Sequence, residues 1–157
     1  MLLNIRDSLW YNALVPKLGG VLVRELNHRL LRDIKAIGIT VDFDLELKPY
    51  SKTYFGRYDP NSNKITLYVY EDKLCTKLVP YTELLLTAVH EAVHCIQWHD
   101  KSFVRRKGVM HDAEFYRLFG MYKSEVEHLM YRKDFSCDKF PKTPRRKVSQ
   151  IHRRHTV

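Results

Sequence analysis

From residue 40 onward the spacing of the apolar residues changes once, from the period of a strand to the period of a helix. Over residues 40–47 polar and apolar residues alternate, which is the pattern of a half-buried strand. After Pro80 the apolar residues recur every three or four positions over residues 81–98, as they do on the buried side of a helix. A sheet-forming part followed by a helical part favours an α+β domain over alternating βαβ units.

Four further segments complete the predicted fold. Residues 21–37 have the amphipathic period of an N-terminal helix, and residues 112–131 have that of a second C-terminal helix. The β-branched and aromatic segments 53–58 and 65–70 flank a turn-forming segment, 59–63, and this arrangement predicts a hairpin. We therefore expect one helix, a three-stranded sheet of antiparallel type with a hairpin, and then two helices.

The basic residues are concentrated at the C-terminal end of the chain. The sequence has 157 residues and a net charge of +9, of which residues 132–157 carry +7. We interpret residues 1–131 as a single domain of nearly neutral charge and residues 132–157 as a basic, flexible tail containing two prolines. Contacts to nucleic-acid phosphates depend mainly on Lys and Arg, so the tail predicts nucleic acid as a partner. The alternative is a solvated tail, or one that docks on its own domain.

The candidate residues for contact with nucleic acid lie in this tail and in a basic loop between the two C-terminal helices. They are Arg145, Arg146, Lys147, Arg153 and Arg154 in the tail, and Arg105, Arg106 and Lys107 in the loop. For the loop residues, ordinary solvation is an equally good interpretation.

Composition excludes several classes of protein. The three cysteines are widely spaced and include no CxxC pair, which argues against a zinc ribbon and against a secreted disulfide scaffold. No apolar run is long enough to span a bilayer, and the N-terminal residues have no signal-peptide pattern. We expect a soluble, intracellular protein of the cytoplasm, nucleoid or nucleus, without a membrane partner.

An HExxH motif, His90-Glu91-Ala92-Val93-His94, lies within the apolar helical segment. A helix turns by about 100° per residue, so residues four apart differ by only about 40° and both histidines project from one face. Two imidazoles in this arrangement can occupy two corners of a tetrahedral zinc site, and Glu91 lies beside them. The motif therefore predicts a zinc ion, one per chain, bound by His90 and His94.

A catalytic zinc site usually has a third protein ligand and one open position. Four residues are candidates for that ligand: His99, Asp100, His111 and Glu114. Asp100 has the spacing of the metzincin pattern, but Gln97 replaces the glycine of its turn, and Glu114 has the placement of a gluzincin carboxylate. We favour His111, because the preceding loop can fold back and bring the start of the next helix against the first.

The combination of motifs resembles the SprT-like metallopeptidase domain, the family that includes the Spartan-type proteases of DNA–protein crosslinks. The resemblance covers about residues 20–131 and depends on the hairpin segments 55–58 and 65–67, the HExxH motif, and the segment 111–115, His-Asp-Ala-Glu-Phe. It implies that zinc is bound by His90, His94 and His111, that Glu91 is the catalytic acid/base, and that the substrates are proteins on or near DNA.

The sequence also departs from the family. Asp112 follows His111 where many relatives have glycine, and the family's four-cysteine zinc ribbon is missing. A basic tail can substitute for that ribbon in binding DNA. A minimal form of this kind would suit a phage or virus.

Further roles can be assigned only as alternatives. Tyr54, Arg57 or Tyr58 can supply an oxyanion donor, and Asp112 or Glu114 can orient a ligand histidine. Two other classes of function compete with the protease: a nucleic-acid-binding module with a structural zinc site, and a virion or assembly component. The intact Glu91 favours the enzyme, since a structural zinc site has no use for that carboxylate.

Overall fold

The computed structural model describes residues 19–100 and 108–136. Within these ranges the chain forms an α+β domain, which confirms the predicted fold class. Its elements in chain order are α1 (Gly19–Ala36), β1 (Asp44–Lys48), β2 (Gly56–Asp59), β3 (Lys64–Tyr68), α2 (Tyr81–His99) and α3 (Ala113–Ser136). Helix α3 therefore includes residues 132–136, which we had placed in the tail. None of the helices in the described ranges combines the length and the apolar character needed to cross a membrane.

The sheet is mixed, so the prediction of an antiparallel type of sheet is wrong for one of its two strand pairs. Strands β2 and β3 form the predicted antiparallel hairpin, but β1 pairs with β3 in parallel, and the strand order is β1-β3-β2. The central strand carries the fully buried Ile65 and Leu67. The chain leaves β1 and begins β2 at the far edge of the sheet. The hairpin then places β3 between β1 and β2, so that β3 runs parallel to β1.

Strand β1 is shorter than the alternating segment 40–47 that predicted it. Its pairing begins where β3 begins, at Asp44 opposite Lys64, because the hairpin turn precedes Lys64. Burial still alternates before the strand, since Ile39 is buried and Val41 is partly buried against the core. The period of two therefore indicates the buried face correctly, while the length of the partner strand limits how many residues of this segment are paired.

Helix α2 lies at the centre of the domain, where it packs against α1, α3, β2 and β3. The core contains apolar side chains from every layer, among them Leu30, Ile34, Leu47, Ile65, Leu67, Leu85, Val89, Val93, Phe115 and Val126. Because α2 is covered on several sides, the polar side chains that it carries at 90 and 91 are buried with it.

A polar cluster attaches α1 to the start of α2. The hydroxyl of Tyr81 donates a hydrogen bond of 2.5 Å to the buried carboxylate of Asp33. The guanidinium carbon of Arg29 lies 3.7 Å from the centroid of the Tyr81 ring. Burial raises the pKa of the Tyr81 hydroxyl most, and the hydrogen bond to Asp33 raises it further. Tyr81 therefore remains protonated and continues to donate.

Gly56 allows β2 to approach α2 closely. A Cβ atom at Gly56 would lie 2.7 Å from Cγ2 of Thr87 and 3.0 Å from Cδ2 of Leu67. Thr87 cannot move aside easily, because it is buried and its hydroxyl donates a 2.9 Å hydrogen bond to the Glu83 carbonyl. The absence of a side chain at Gly56 therefore sets the distance between this edge strand and the helix that carries the HExxH motif.

We expect Gly56→Ala to lower the free energy of unfolding by about 1–3 kcal/mol, because the added methyl group overpacks the interface between β2 and α2. Gly120→Ala is the matched control: Gly120 is exposed in α3, and its added Cβ would meet nothing within 4 Å. That substitution should stabilise the protein by about 0.5–1 kcal/mol through helix propensity. Urea denaturation measures both. Equal effects of the two substitutions would contradict the close packing at Gly56.

Candidate metal centre

Three histidines from two separate parts of the chain converge at one point. His90 and His94 are one turn apart on α2, and His111 lies two residues before α3 begins. Nε2 of His111 is 3.1 Å from Nε2 of His90 and 3.1 Å from Nε2 of His94. The structure thus brings together the two motif histidines and the third residue that the sequence favours as a ligand.

The spacing of these nitrogens fits a metal ion with tetrahedral geometry. Zinc–nitrogen bonds of about 2.0–2.1 Å place two ligand nitrogens of a tetrahedral site about 3.3–3.4 Å apart. The observed 3.1 Å is close to this value, and the three ring centroids form a nearly equilateral triangle with sides of 4.9, 5.0 and 5.1 Å. The three histidines are close enough to hold one metal ion.

The cluster is buried on one side and accessible on the other. His90 is 2% exposed, whereas His94 and His111 are partly exposed. Within the part of the chain that the structure describes, the cluster has three members drawn from the His, Cys, Asp and Glu side chains. Three protein ligands leave one position of a tetrahedral ion for water or substrate, which is typical of a catalytic site.

Glu91 is a buried carboxyl group next to this cluster in the sequence. It is 5% exposed, and burial raises the pKa of its side chain to about 8. A hydrogen bond from the backbone N–H of Tyr58 acts in the opposite direction and favours the ionised form. A carboxyl group with a pKa near neutrality can both accept and release a proton at physiological pH.

Helix α3 is held against α2 next to His111 by a pair of polar side chains. Oδ1 of Asp112 accepts a hydrogen bond of 2.8 Å from the backbone N–H of Phe115, which caps the first turn of α3. The same oxygen accepts a 3.2 Å bond from Nε2 of Gln97, a buried residue of α2. Asp112 therefore holds the segment that carries His111 against α2. Its side-chain partner on α2 is Gln97, whereas the sequence suggested a ligand histidine.

Sequence reasoning missed the role of Gln97. A signal was present, because Gln97 follows His94 by three residues and so lies on nearly the same face of α2. A polar residue on the face of a helix that presents metal ligands is a candidate for supporting them or their neighbours.

The other candidate third ligands make contacts elsewhere. Nε2 of His99 lies 3.1 Å from Oδ1 of Asn63, at the hairpin turn. Asp100 is the C-terminal cap residue of α2, where its backbone N–H donates to the carbonyl of Ile96. Glu114 pairs with Arg117 of its own helix at 2.5 and 2.8 Å, and this bond lowers the pKa of the carboxyl group. Glu114 is exposed, so the structure does not bring it into the histidine cluster.

The three candidates for an oxyanion donor lie at or near β2. The hydroxyl of Tyr58 donates a 2.8 Å hydrogen bond to Asn63, and the backbone N–H of the same residue bonds to Glu91. Arg57 points to the opposite face of the sheet from Gly56 and is exposed. Its guanidinium carbon lies 5.8 Å from the centroid of the Tyr54 ring. Their assignment as oxyanion donors stays a prediction.

The candidates for contact with nucleic acid all lie outside the described residues. These are Arg105, Arg106 and Lys107 of the loop, and Arg145, Arg146, Lys147, Arg153 and Arg154 of the tail. Their assignment to nucleic acid stays a prediction.

Comparisons of the chain with protein-family models, with curated proteins and with solved structures found no match. The resemblance to the SprT-like domain therefore stays an interpretation of the motifs. The features of the molecule that bear on function are the geometry of the three histidines and the burial of Glu91.

The raised pKa of Glu91 predicts a pH dependence of stability in the metal-free protein. Between its ordinary pKa of 4.5 and its native value of about 8, the folded chain keeps a proton that the unfolded chain releases. The free energy of unfolding should therefore fall as the pH rises from about 4.5 to about 8, and stop falling above that. Relative to Glu91→Gln, the loss should be on the order of 3–5 kcal/mol.

The measurement is urea denaturation of both proteins in the presence of a chelator, at several values of pH between 4.5 and 9. Titration of the histidines changes the free energy of unfolding of both proteins, so it cancels in the difference between wild type and Glu91→Gln. Parallel curves for wild type and Glu91→Gln would show that Glu91 ionises normally in the folded chain.

Proposed function

We propose that this protein is a zinc-dependent endopeptidase of the SprT-like kind, which cleaves proteins on or near nucleic acid. The observation that supports it is the convergence of three histidines: Nε2 of His111 lies 3.1 Å from Nε2 of both His90 and His94. Glu91, on the same helix as His90 and His94, is buried. This donor set is that of a catalytic zinc site, which keeps one coordination position open.

His90, His94 and His111 would hold the zinc ion, which would serve as a Lewis acid for the peptide carbonyl and for the nucleophilic water. The chain supplies the proton transfer. Glu91 accepts a proton from the attacking water and passes it to the leaving amine, which is the role of a carboxylate next to the ligand histidines. The hydrogen bond from the Tyr58 backbone limits the orientations available to that carboxylate.

The burial of Glu91 favours an enzyme over a binding module with a structural zinc site. Burying a carboxyl group costs free energy, because its ionised form loses its hydration. The raised pKa of Glu91 expresses this cost. A structural zinc site would gain nothing from such a group, whereas a hydrolytic site uses it for proton transfer.

Glu91→Gln should retain zinc and lose proteolysis, by about 100-fold or more, because the amide keeps the shape of the carboxyl group and cannot accept the proton. The measurement is cleavage of an unfolded protein substrate, with zinc content determined on the same samples. His94→Ala is the control, and it should lose both zinc and activity. Cleavage by Glu91→Gln at the wild-type rate would remove Glu91 from the mechanism.

The basic tail predicts the second part of the proposed function, namely binding to nucleic acid. Replacing Arg145, Arg146, Lys147, Arg153 and Arg154 by glutamine should weaken binding to duplex DNA and flatten its salt dependence. If all five contact phosphates, the slope of log K against log salt should change by about 4–5. Fluorescence anisotropy measures this slope, and cleavage of a free protein substrate without DNA is the control that should not change. Equal affinity and slope for both proteins would exclude the tail as a tether.

A further inference from the structure

One apolar ring lies against all three histidines of the cluster. The centroid of the Phe115 ring is 4.8 Å from that of His90, 4.6 Å from that of His94 and 4.7 Å from that of His111. It stacks on His94 at an interplanar angle of 29°, and it meets His90 and His111 at 67° and 73°. Each imidazole therefore contacts the same ring in a different orientation.

Phe115 is itself fixed in position. Its side chain is 0% exposed, and it lies in the first turn of α3, where its backbone N–H donates to the capping carboxylate of Asp112. It also stacks on Phe119, with centroids 6.1 Å apart and an interplanar angle of 12°. A ring held in this way forms a rigid support for the imidazoles.

Contact with this ring restricts the side-chain torsions of the histidines before a metal binds. Each histidine that coordinates zinc must give up its freedom to rotate, and ordering a side chain opposes binding. If packing has already removed that freedom, metal binding bears a smaller entropic cost. Hydrogen-bonded partners often orient ligand histidines, but a shared aromatic contact can restrict the same rotations.

We propose that Phe115 is a positioning residue of the metal centre, which orients His90, His94 and His111 together and thereby raises their affinity for zinc. This inference rests on the metal-binding part of the proposed function. It predicts that the ring affects metal affinity and coordination geometry beyond its contribution to the stability of the core.

Phe119 provides a matched control on the same helix. It is 2% exposed and one turn from Phe115, and the centroid of its ring is 5.6 Å from that of His90, farther than the 4.8 Å of Phe115. Phe115→Leu and Phe119→Leu remove the same group from the same core, so both should lower the unfolding free energy of the metal-free protein by comparable amounts. Only Phe115→Leu removes the support shared by the three imidazoles.

The experiment measures the zinc dissociation constant of each full-length protein by competition with a chromophoric chelator. We expect Phe115→Leu to weaken zinc binding by about 10-fold or more, as the loss of a group that orients metal ligands does, and Phe119→Leu to weaken it much less. The absorption spectrum of the Co²⁺-substituted protein is a second readout, because it reports coordination geometry. It should change in Phe115→Leu and match the wild type in Phe119→Leu.

Equal dissociation constants and equal Co²⁺ spectra for the two variants would overturn the inference, and Phe115 would then be an ordinary core residue. If Phe115→Leu does not fold, Phe115→Met provides the same comparison, because its unbranched and flexible side chain can fill the space left by the ring. Failure of the wild-type protein to bind zinc would instead contradict the proposed function. The two failures are therefore distinguishable.

Discussion

The contact between α2 and α3 is the constraint on which the candidate site depends. Two of its histidines lie on α2, and the third lies just before α3, so the cluster exists only while the two helices are packed together. Apolar packing supplies most of the contact between the two helices. The hydrogen bond from Gln97 to Asp112 adds a polar contact next to His111. Because that bond connects α2 to the cap of α3, any shift of α3 moves the cap, His111 and Phe115 together.

The spacing within the HExxH motif divides its side chains between two neighbours of α2. His90 and His94 are four residues apart and face α3, where they meet His111 and Phe115. Glu91 is rotated from His90 by about 100° and meets β2, whose Tyr58 N–H bonds to it. The close approach at Gly56, two residues before Tyr58, brings that strand within reach. The motif therefore needs both packing partners, a helix for the ligands and a strand for the carboxyl group.

The sequence predicts the local parts of this arrangement well, because helix and strand periods depend on residues close in the chain. It identifies α2 and the shared face of His90 and His94, and it favours His111 through the following helix. It does not predict the parallel pairing of β1 with β3. The alternation of polar and apolar residues shows which face of a strand is buried, but it does not show which strand lies beside it. Nor does it assign the partners of Asp112 and Glu114. Both carboxylates lie near His111 in the sequence, but one bonds to Gln97 and the other to Arg117.

The relation between folding and metal binding follows from the extent of the core. Small zinc domains such as zinc fingers use the metal to fold, because they have little apolar surface to bury. Here the buried cluster runs without interruption from Leu30 of α1 through Ile65 of β3 and Val89 of α2 to Phe115 of α3. Apolar burial of this extent can hold the two helices together without a metal. A metal ion would then bind to histidines that the fold has already brought together, and it would stabilise the folded state by mass action.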